Sequence, residues 1–291
     1  MGRHTLLNTP LSARQLAALA AFAVGALFAM AVGIFAAGCS HPESSEPGEL
    51  VKLRVGASPS PHAEILDFLT YQLRGEGIEL EIVVFDDFVM PNVALQDAQI
   101  DANFFQHLPY LEDYNSEHGT DLTPLVGVHF EPLGIYPGTS AALDDVPEEG
   151  RVAIPSDPTN GARALNLLEA AGLISLREGV DLYATPRDIV DNDRHLQIVE
   201  VEAAQLPAIR ADVDLAVING NYALESGIEF DTALAAEQRD SSAAVKYTNF
   251  LVVRPDRSAD SHILTLARLL NSSELRDFIN DHYRGRVVPT F

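Results

Sequence analysis

The chain has 291 residues, a formal net charge of −23 and a single cysteine, Cys39. So acidic a surface repels nucleic acid and anionic lipid headgroups, and a lone cysteine excludes an intramolecular disulfide and any cysteine-based metal cage. The length supports a sizeable core in one or two domains.

Residues 1–38 carry Arg3 and Arg14 but no acidic residue, and an apolar stretch fills 16–37. The stretch closes on Ala36-Ala37-Gly38-Cys39, small residues of the kind a signal peptidase requires. A cysteine in this place resembles the bacterial lipobox, whose thiol is fatty-acylated and becomes the mature N-terminus; Ala36 stands where Leu is usual. The apolar run is also about long enough for a permanent transmembrane helix. The adjoining segment HPESSEPGE, over 41–49, is a polar tether without a folded signature, and it favours the anchored reading. Residues 1–38 are therefore expected to be a lipoprotein signal peptide, 39–49 a flexible tether and Cys39 the lipidation site. The mature protein is expected to be extracytoplasmic, held to the cell membrane by its lipid.

From Leu50 strand-like and helix-like segments alternate, which indicates an α/β fold. A strand is predicted over 51–57, a Ser/Pro turn over 58–62, and a helix over 63–74 with Ile65, Leu66, Leu69 and Leu73 at helical spacing. A strand over 80–85 and a short helix over 91–99 come after it. Next comes DANFFQHLPYLEDYN (101–115), a strand leading into a helix that opens with Pro109. Its Asn103, Gln106 and His107 are interleaved with Phe104, Phe105 and Tyr110. That mixture suits a buried strand with an amphipathic helix, or a wall for a small amphipathic ligand. A further strand is predicted over 123–130. Segments 129–136 and 247–254 are the candidates for crossover strands, and a C-terminal helix over 261–283 is expected to pack on the first lobe.

Two internal echoes organise these elements. RVGASPSPH (54–62) is echoed by RVAIPSDPTN (151–160), and AQIDANFFQHLPYL, ending at Leu111, by ADVDLAVINGNYAL, ending at Leu224. The second alignment pairs Asp101 with Asp214 and Gln106 with Asn219. Two echoes in one order predict two similar α/β lobes whose strand-to-helix loops face a common cleft, where ligands of open α/β sheets bind.

Individual residues leave alternatives open. Arg163 falls early in a helix, where a cation opposes the macrodipole, so an anionic partner is expected. A ligand carboxylate would serve, as would Asp157 or another acid. In INGNYA (218–223) the amides of Asn219 and Asn221 suit turn chemistry or recognition of an ammonium and a carboxylate alike. Histidines 62, 107, 118 and 129 match no tight metal-ligand spacing, and His118 reads as a helix C-terminal residue before Gly119, so no metal site is expected. No G-x-S-x-G, H-E-x-x-H or P-loop motif occurs, and Ser58 and Ser60 sit among prolines with no identifiable base; no enzymatic activity is expected.

Several long strings occur in one order: VGASPSPHAEIL, QIDANFFQHLPYLEDYN, LVGVHFEPLGIY, VAIPSDPTN, VEAAQLPAI, AVINGNYAL and VVPTF. Together they resemble the NlpA family of methionine-binding lipoproteins, the MetQ-type substrate-binding components of ABC importers, over about 53–291. The resemblance implies a two-lobed periplasmic-binding-protein-like α/β fold with crossover strands and a ligand cleft between the lobes. Lobe 1 is expected over 50–132 and 250–291, and lobe 2 over 133–249. It further implies that Arg163 holds a methionine carboxylate, with Asn219, Asn160 and Asn249 completing the zwitterion site. Phe88, Phe105, His107 and Tyr110 would wall the thioether, with Tyr222 nearby. Phe88 departs from the Tyr of many relatives, and GARAL after Asn160 from the common EGRAL. ABC permease and ATPase subunits are the implied partners, and no cofactor is implied. Binding of another apolar amino acid or a methionine dipeptide, and an adhesion role at the surface, are the alternatives.

Overall fold

β-Branched and leucine side chains alternate along β1 (Val51–Ala57), and the buried members Leu53, Val55 and Ala57 found the first core of the computed structural model, which describes residues 50–239 and 242–291. The expected signal peptide, Cys39 and the tether lie outside the described residues. β1 pairs in parallel with β2 (Ile78–Val84) and β3 (Ala102–His107). After β4 (Thr123–Phe130) the chain leaves this sheet and enters a second one through β5 (Gly134–Pro137).

Next in the chain are β6 (Arg151–Pro155) and the small antiparallel pair β7 (Ser175–Leu176) and β8 (Ile189–Asp191). β9 (Gln197–Val201), β10 (Leu215–Ile218) and β11 (Ala235–Ala236) complete the second sheet, in the order β11-β5-β10-β6-β9. The chain then returns through β12 (Asn249–Val253), which inserts antiparallel between β3 and β4. β13 (Val288–Pro289) pairs with β4 at the edge, giving the first sheet the order β13-β4-β12-β3-β1-β2. The chain thus changes sheets inside the first expected crossover segment, 129–136, and again between 236 and 249, so that most of the second, 247–254, is strand β12 of the first sheet. Burying whole faces of these strands drives the fold, at roughly 25 cal/mol per Å² of apolar surface.

The helix expected over 261–283 is two helices, Ser261–Leu269 and Ser273–Tyr283. The break has a local cause: the Ser272 side chain accepts a hydrogen bond from the Leu275 backbone N–H and starts a new helix. Both helices bury Ile263, Leu266, Leu275 and Ile279 in the first core, so the expected packing stands. The helix expected over 63–74 is likewise interrupted, as Glu64–Phe68 and Thr70–Gly75.

Helix Leu108–His118 begins as its sequence suggests. Pro109 occupies the first turn, the His107 ring caps the Tyr110 backbone N–H, and Gly119 closes the helix in the left-handed region at φ 66°. Leu111 is buried against Leu95, Ile100 and Tyr114, fastening this helix to the first sheet.

Candidate ligand-binding cleft

The ends of β3, β10 and β12 and the start of helix Pro158–Ala170 converge on one small cavity of about 20 Å³. That is room for one or two waters. It is lined by Phe88, Phe105, Gln106, His107, Tyr110, Glu131, Asn160, Arg163, Asn219, Gly220, Asn221 and Asn249. Eight of the nine expected site residues are in that lining. The ninth, Tyr222, stands behind Phe88, with ring centroids 4.8 Å apart.

Its polar side is ordered by a chain of bonds that starts at Asp157. This carboxylate caps helix Pro158–Ala170 by accepting from the Asn160 backbone N–H at 2.9 Å, and it also accepts from the Asn160 side-chain amide at 3.0 Å. The amide is thereby oriented with Oδ1 away from Asp157, toward His107 and Asn219. His107 accepts from the Tyr110 backbone at Nδ1, so its proton resides on Nε2 and is donated to Asn160 Oδ1 at 3.1 Å. Burial, reinforced by the positive Arg163, depresses the His107 pKa to about 3 and keeps the ring neutral at neutral pH. Asn219 donates its Nδ2 to the same Asn160 oxygen at 2.8 Å.

Among the described residues, that last bond leaves Asn219 Oδ1 buried without a partner, and the neighbouring Asn221 Nδ2 is buried and unpartnered as well. An unmet acceptor and an unmet donor thus flank one cavity. Each is a position that costs about 1–3 kcal/mol to leave unsatisfied. Gly220, between them, has no room for a side chain: a Cβ would lie 2.7 Å from that of Glu131.

Arg163 is buried, and its anionic partner is Glu237, not Asp157. Nε donates to Glu237 Oε1 at 2.8 Å, while Nη2 donates to Glu237 Oε2 and to the Glu131 carbonyl at 2.9 Å. Nη1 has no hydrogen bond among the described residues. Burial opposes the guanidinium charge, but Glu237 outweighs it and the Arg163 pKa ends above its ordinary value. The guanidinium carbon also lies 4.2 Å from the Tyr247 ring centroid, a cation–π contact. Glu237 sits 74 residues from Arg163 just after a two-residue edge strand, and no local pattern announces it.

The opposite wall is aromatic. The Phe88 ring lies 6.1 Å from Phe105 and 6.0 Å from Tyr110, and the Tyr110 hydroxyl donates to the Phe88 carbonyl at 3.0 Å. Behind it, Asn92, Asn103 and Gln106 satisfy one another in a closed amide network, with bonds of 2.7–3.0 Å among their side chains. The interleaved amides of the DANFFQH stretch therefore brace the wall, although Gln106 also reaches the lining. The cleft is closed, since His107–Asn160 and a 3.4 Å bond from the Tyr222 hydroxyl to the Asp86 carbonyl both cross it.

Two further findings revise expectations. Ser58 does have a base: its hydroxyl is 2.7 Å from His62 Nδ1, but both residues are buried outside the cavity lining. Histidines 62 and 129, remote in sequence, meet at Glu131. His118 instead bonds the Tyr114 carbonyl at its own helix end. A roomier groove of about 310 Å³ lies between helices Leu108–His118 and Pro158–Ala170. Its charged groups are all carboxylates, Glu112, Asp113, Asp157 and Glu200, and it lacks the paired donor and acceptor of the smaller cavity.

A family model described as NlpA lipoprotein matches residues 53–291. The membrane lipoprotein TpN32 of Treponema pallidum is 39% identical over 265 residues, spanning 91% of this chain and 95% of the relative. A solved nutrient-binding protein from Burkholderia cenocepacia, bound to methionine, is similar with a TM-score of 0.78 at 34% identity, covering 82% of this chain and 100% of that one. A periplasmic substrate-binding protein of an ABC transporter from Coxiella burnetii is similar with a TM-score of 0.76 at 36% identity, over 82% and 100% of the two chains.

Proposed function

This chain belongs to the NlpA lipoprotein family, and we propose that it is an extracytoplasmic substrate-binding lipoprotein that captures methionine and delivers it to an ABC importer. One observation carries the reading: a buried unpaired acceptor, Asn219 Oδ1, and a buried unpaired donor, Asn221 Nδ2, beside Arg163 in an aromatic-walled cavity. An α-amino acid supplies the complement, with its ammonium for the acceptor and its carboxylate for the donor and Arg163 Nη1. Each hydrogen bond to a charged group contributes about 1.5–3 kcal/mol. Phe88, Phe105 and Tyr110 take the apolar side chain, and a thioether beside aromatic rings gains about 0.3–1.5 kcal/mol more. His107 and Asn160 position these groups, Asn249 adds a further amide to the lining, and Tyr222 supports Phe88. Among the described residues lining the cavity there is no serine, threonine, cysteine or lysine.

Ligand entry requires the lobes, assigned as 50–132 with 250–291 and as 133–249, to part and break the His107–Asn160 bridge. Reclosure then signals occupancy to the permease and its ATPase. No helix among the described residues is long and apolar enough to cross a membrane. We assign membrane attachment to lipid on Cys39, with 39–49 as the tether.

Calorimetry tests the reading on protein unfolded and refolded to strip co-purified ligand. Methionine is expected to bind, and Arg163→Ala to abolish binding. Absence of heat with methionine and every other amino acid would overturn it.

A further inference from the structure

Next to the cleft, four metal-capable atoms come together that no sequence spacing announces. His62 comes from the turn after β1, His129 from β4, Glu131 from the first passage between sheets, and Asn249 from the head of β12. His62, His129 and Glu131 offer ligand atoms all within 4.8 Å of one another, and all three residues are buried. His62 Nε2 lies 3.4 Å from Glu131 Oε1 and 3.1 Å from Asn249 Oδ1. His129 Nε2 lies 2.6 Å from the same Glu131 oxygen.

We propose that His62 Nε2, His129 Nε2, Glu131 Oε1 and Asn249 Oδ1 form a binding site for a zinc-class divalent cation bordering the cleft. Four donors about 2.0–2.2 Å from a tetrahedral ion stand about 3.3–3.5 Å apart from one another. The 3.4 Å separation already matches, the 3.1 Å one is about 0.2 Å short, the His129–Glu131 hydrogen bond has to open by less than about 1 Å, and the widest pair, within 4.8 Å, has to close by about 1.3 Å. Two imidazoles with two oxygens select zinc and its transition-metal neighbours over magnesium or calcium, which take oxygen ligands.

Protonation favours the same reading. Burial holds His62 at about 4 and His129 at about 3, so both rings are neutral and ligand-competent at pH 7. Coordination at Nε2 shifts each ring's proton to Nδ1. For His62 the acceptor is in place, Ser58 Oγ at 2.7 Å, the outer-shell bond that fixes metal-binding histidines. His129 Nδ1 is buried without a partner, so that ring is fixed by packing against Phe104 and His62. Glu131 supplies the anion, and the protein's charge of −23 concentrates cations around it. Glu131 and Asn249 also line the cavity, which provides an entry path.

The test uses the full chain, stripped with a chelator and titrated with Zn²⁺ by calorimetry and with Co²⁺ by visible absorption. One ion per chain and the intense Co²⁺ bands of a four-coordinate site are expected. The His62→Ala/His129→Ala variant should bind at least 100-fold more weakly, while His195→Ala/His282→Ala, at exposed histidines, should bind as the parent does. If the first variant fails to fold, Glu131→Gln decides, with at least tenfold weakening expected. Absence of the Co²⁺ bands in the parent chain, or binding unchanged in the cluster variants, would overturn the site.

Discussion

Asp101 and Asp214 occupy equivalent places in the two lobes, and the structure joins each to the arginine that its echo supplies. Asp101 accepts from the Arg54 backbone N–H at 2.8 Å, and Asp214 accepts from that of Arg151 at 2.8 Å. In each lobe the aspartate's own N–H returns a bond to the arginine carbonyl. The two repeats are thus the same clamp between parallel strands, β1 with β3 and β6 with β10.

Their loops then diverge. Gln106 of the first lobe is locked into Asn92 and Asn103, whereas Asn219, its counterpart, keeps a buried oxygen unpaired. One construction therefore yields a rigid, satisfied wall on one side and an unsatisfied polar face on the other. In the proposed function, shape selection falls to the first lobe and zwitterion recognition to the second. Buried polar groups are normally paired, and in the proposed function a ligand completes the count at Asn219 Oδ1 and Asn221 Nδ2.

The largest effect should come from unbalancing the polar face. Glu237→Ala strands the buried Arg163 charge, and a loss of about 3–5 kcal/mol in stability is expected in urea unfolding. A loss below about 1 kcal/mol would mean that water reaches the guanidinium.

Next is acid. His107 titrates at about 3 when folded and near 6.5 when unfolded, so the unfolded chain binds the extra proton between those values. Its contribution to stability is complete above about pH 6.5 and is lost as pH falls toward 3, at about 1.4 kcal/mol per pH unit. His107→Gln should flatten the fall in Tm between pH 7 and 4.5 by that share, and an unchanged slope would contradict the buried neutral ring.

Gln106→Leu and Asn219→Ala sharpen the contrast itself. The first orphans amide groups of Asn92 and Asn103 and should reduce stability by about 1–3 kcal/mol. The second removes an already unpaired oxygen; Asn160 Oδ1 keeps its His107 bond, so stability should change by under about 1 kcal/mol. Methionine affinity should nevertheless fall by about 10–100-fold. The reverse pattern, measured by calorimetry and unfolding on both variants, would dissolve the division of labour. The smallest effect belongs to Tyr110→Phe, which loses one bond to the Phe88 carbonyl and should reduce affinity by about tenfold or less.

Much of this is legible in residue order alone. Alternating strand and helix patterns, the Pro109 and Gly119 boundaries, the two echoes and most of the cavity lining all have local signatures. Local order reports on neighbours three or four residues away in a helix and two away in a strand. The break at Ser272 is local as well, since the polar run from Asn271 to Glu274 interrupts the apolar spacing between Leu270 and Leu275 and supplies the cap.

The pairing of polar groups is another matter, because it is decided between residues far apart in the chain. Arg163 and Glu237 are 74 residues apart, and His62 and Asn249 are 187 apart. No spacing rule reaches those distances. Sequence determined by itself that two matched α/β halves would face each other with amides and aromatics between them. Tertiary structure alone decided which of those amides are satisfied and which stay open, since a hydrogen bond depends on where donors and acceptors finally meet.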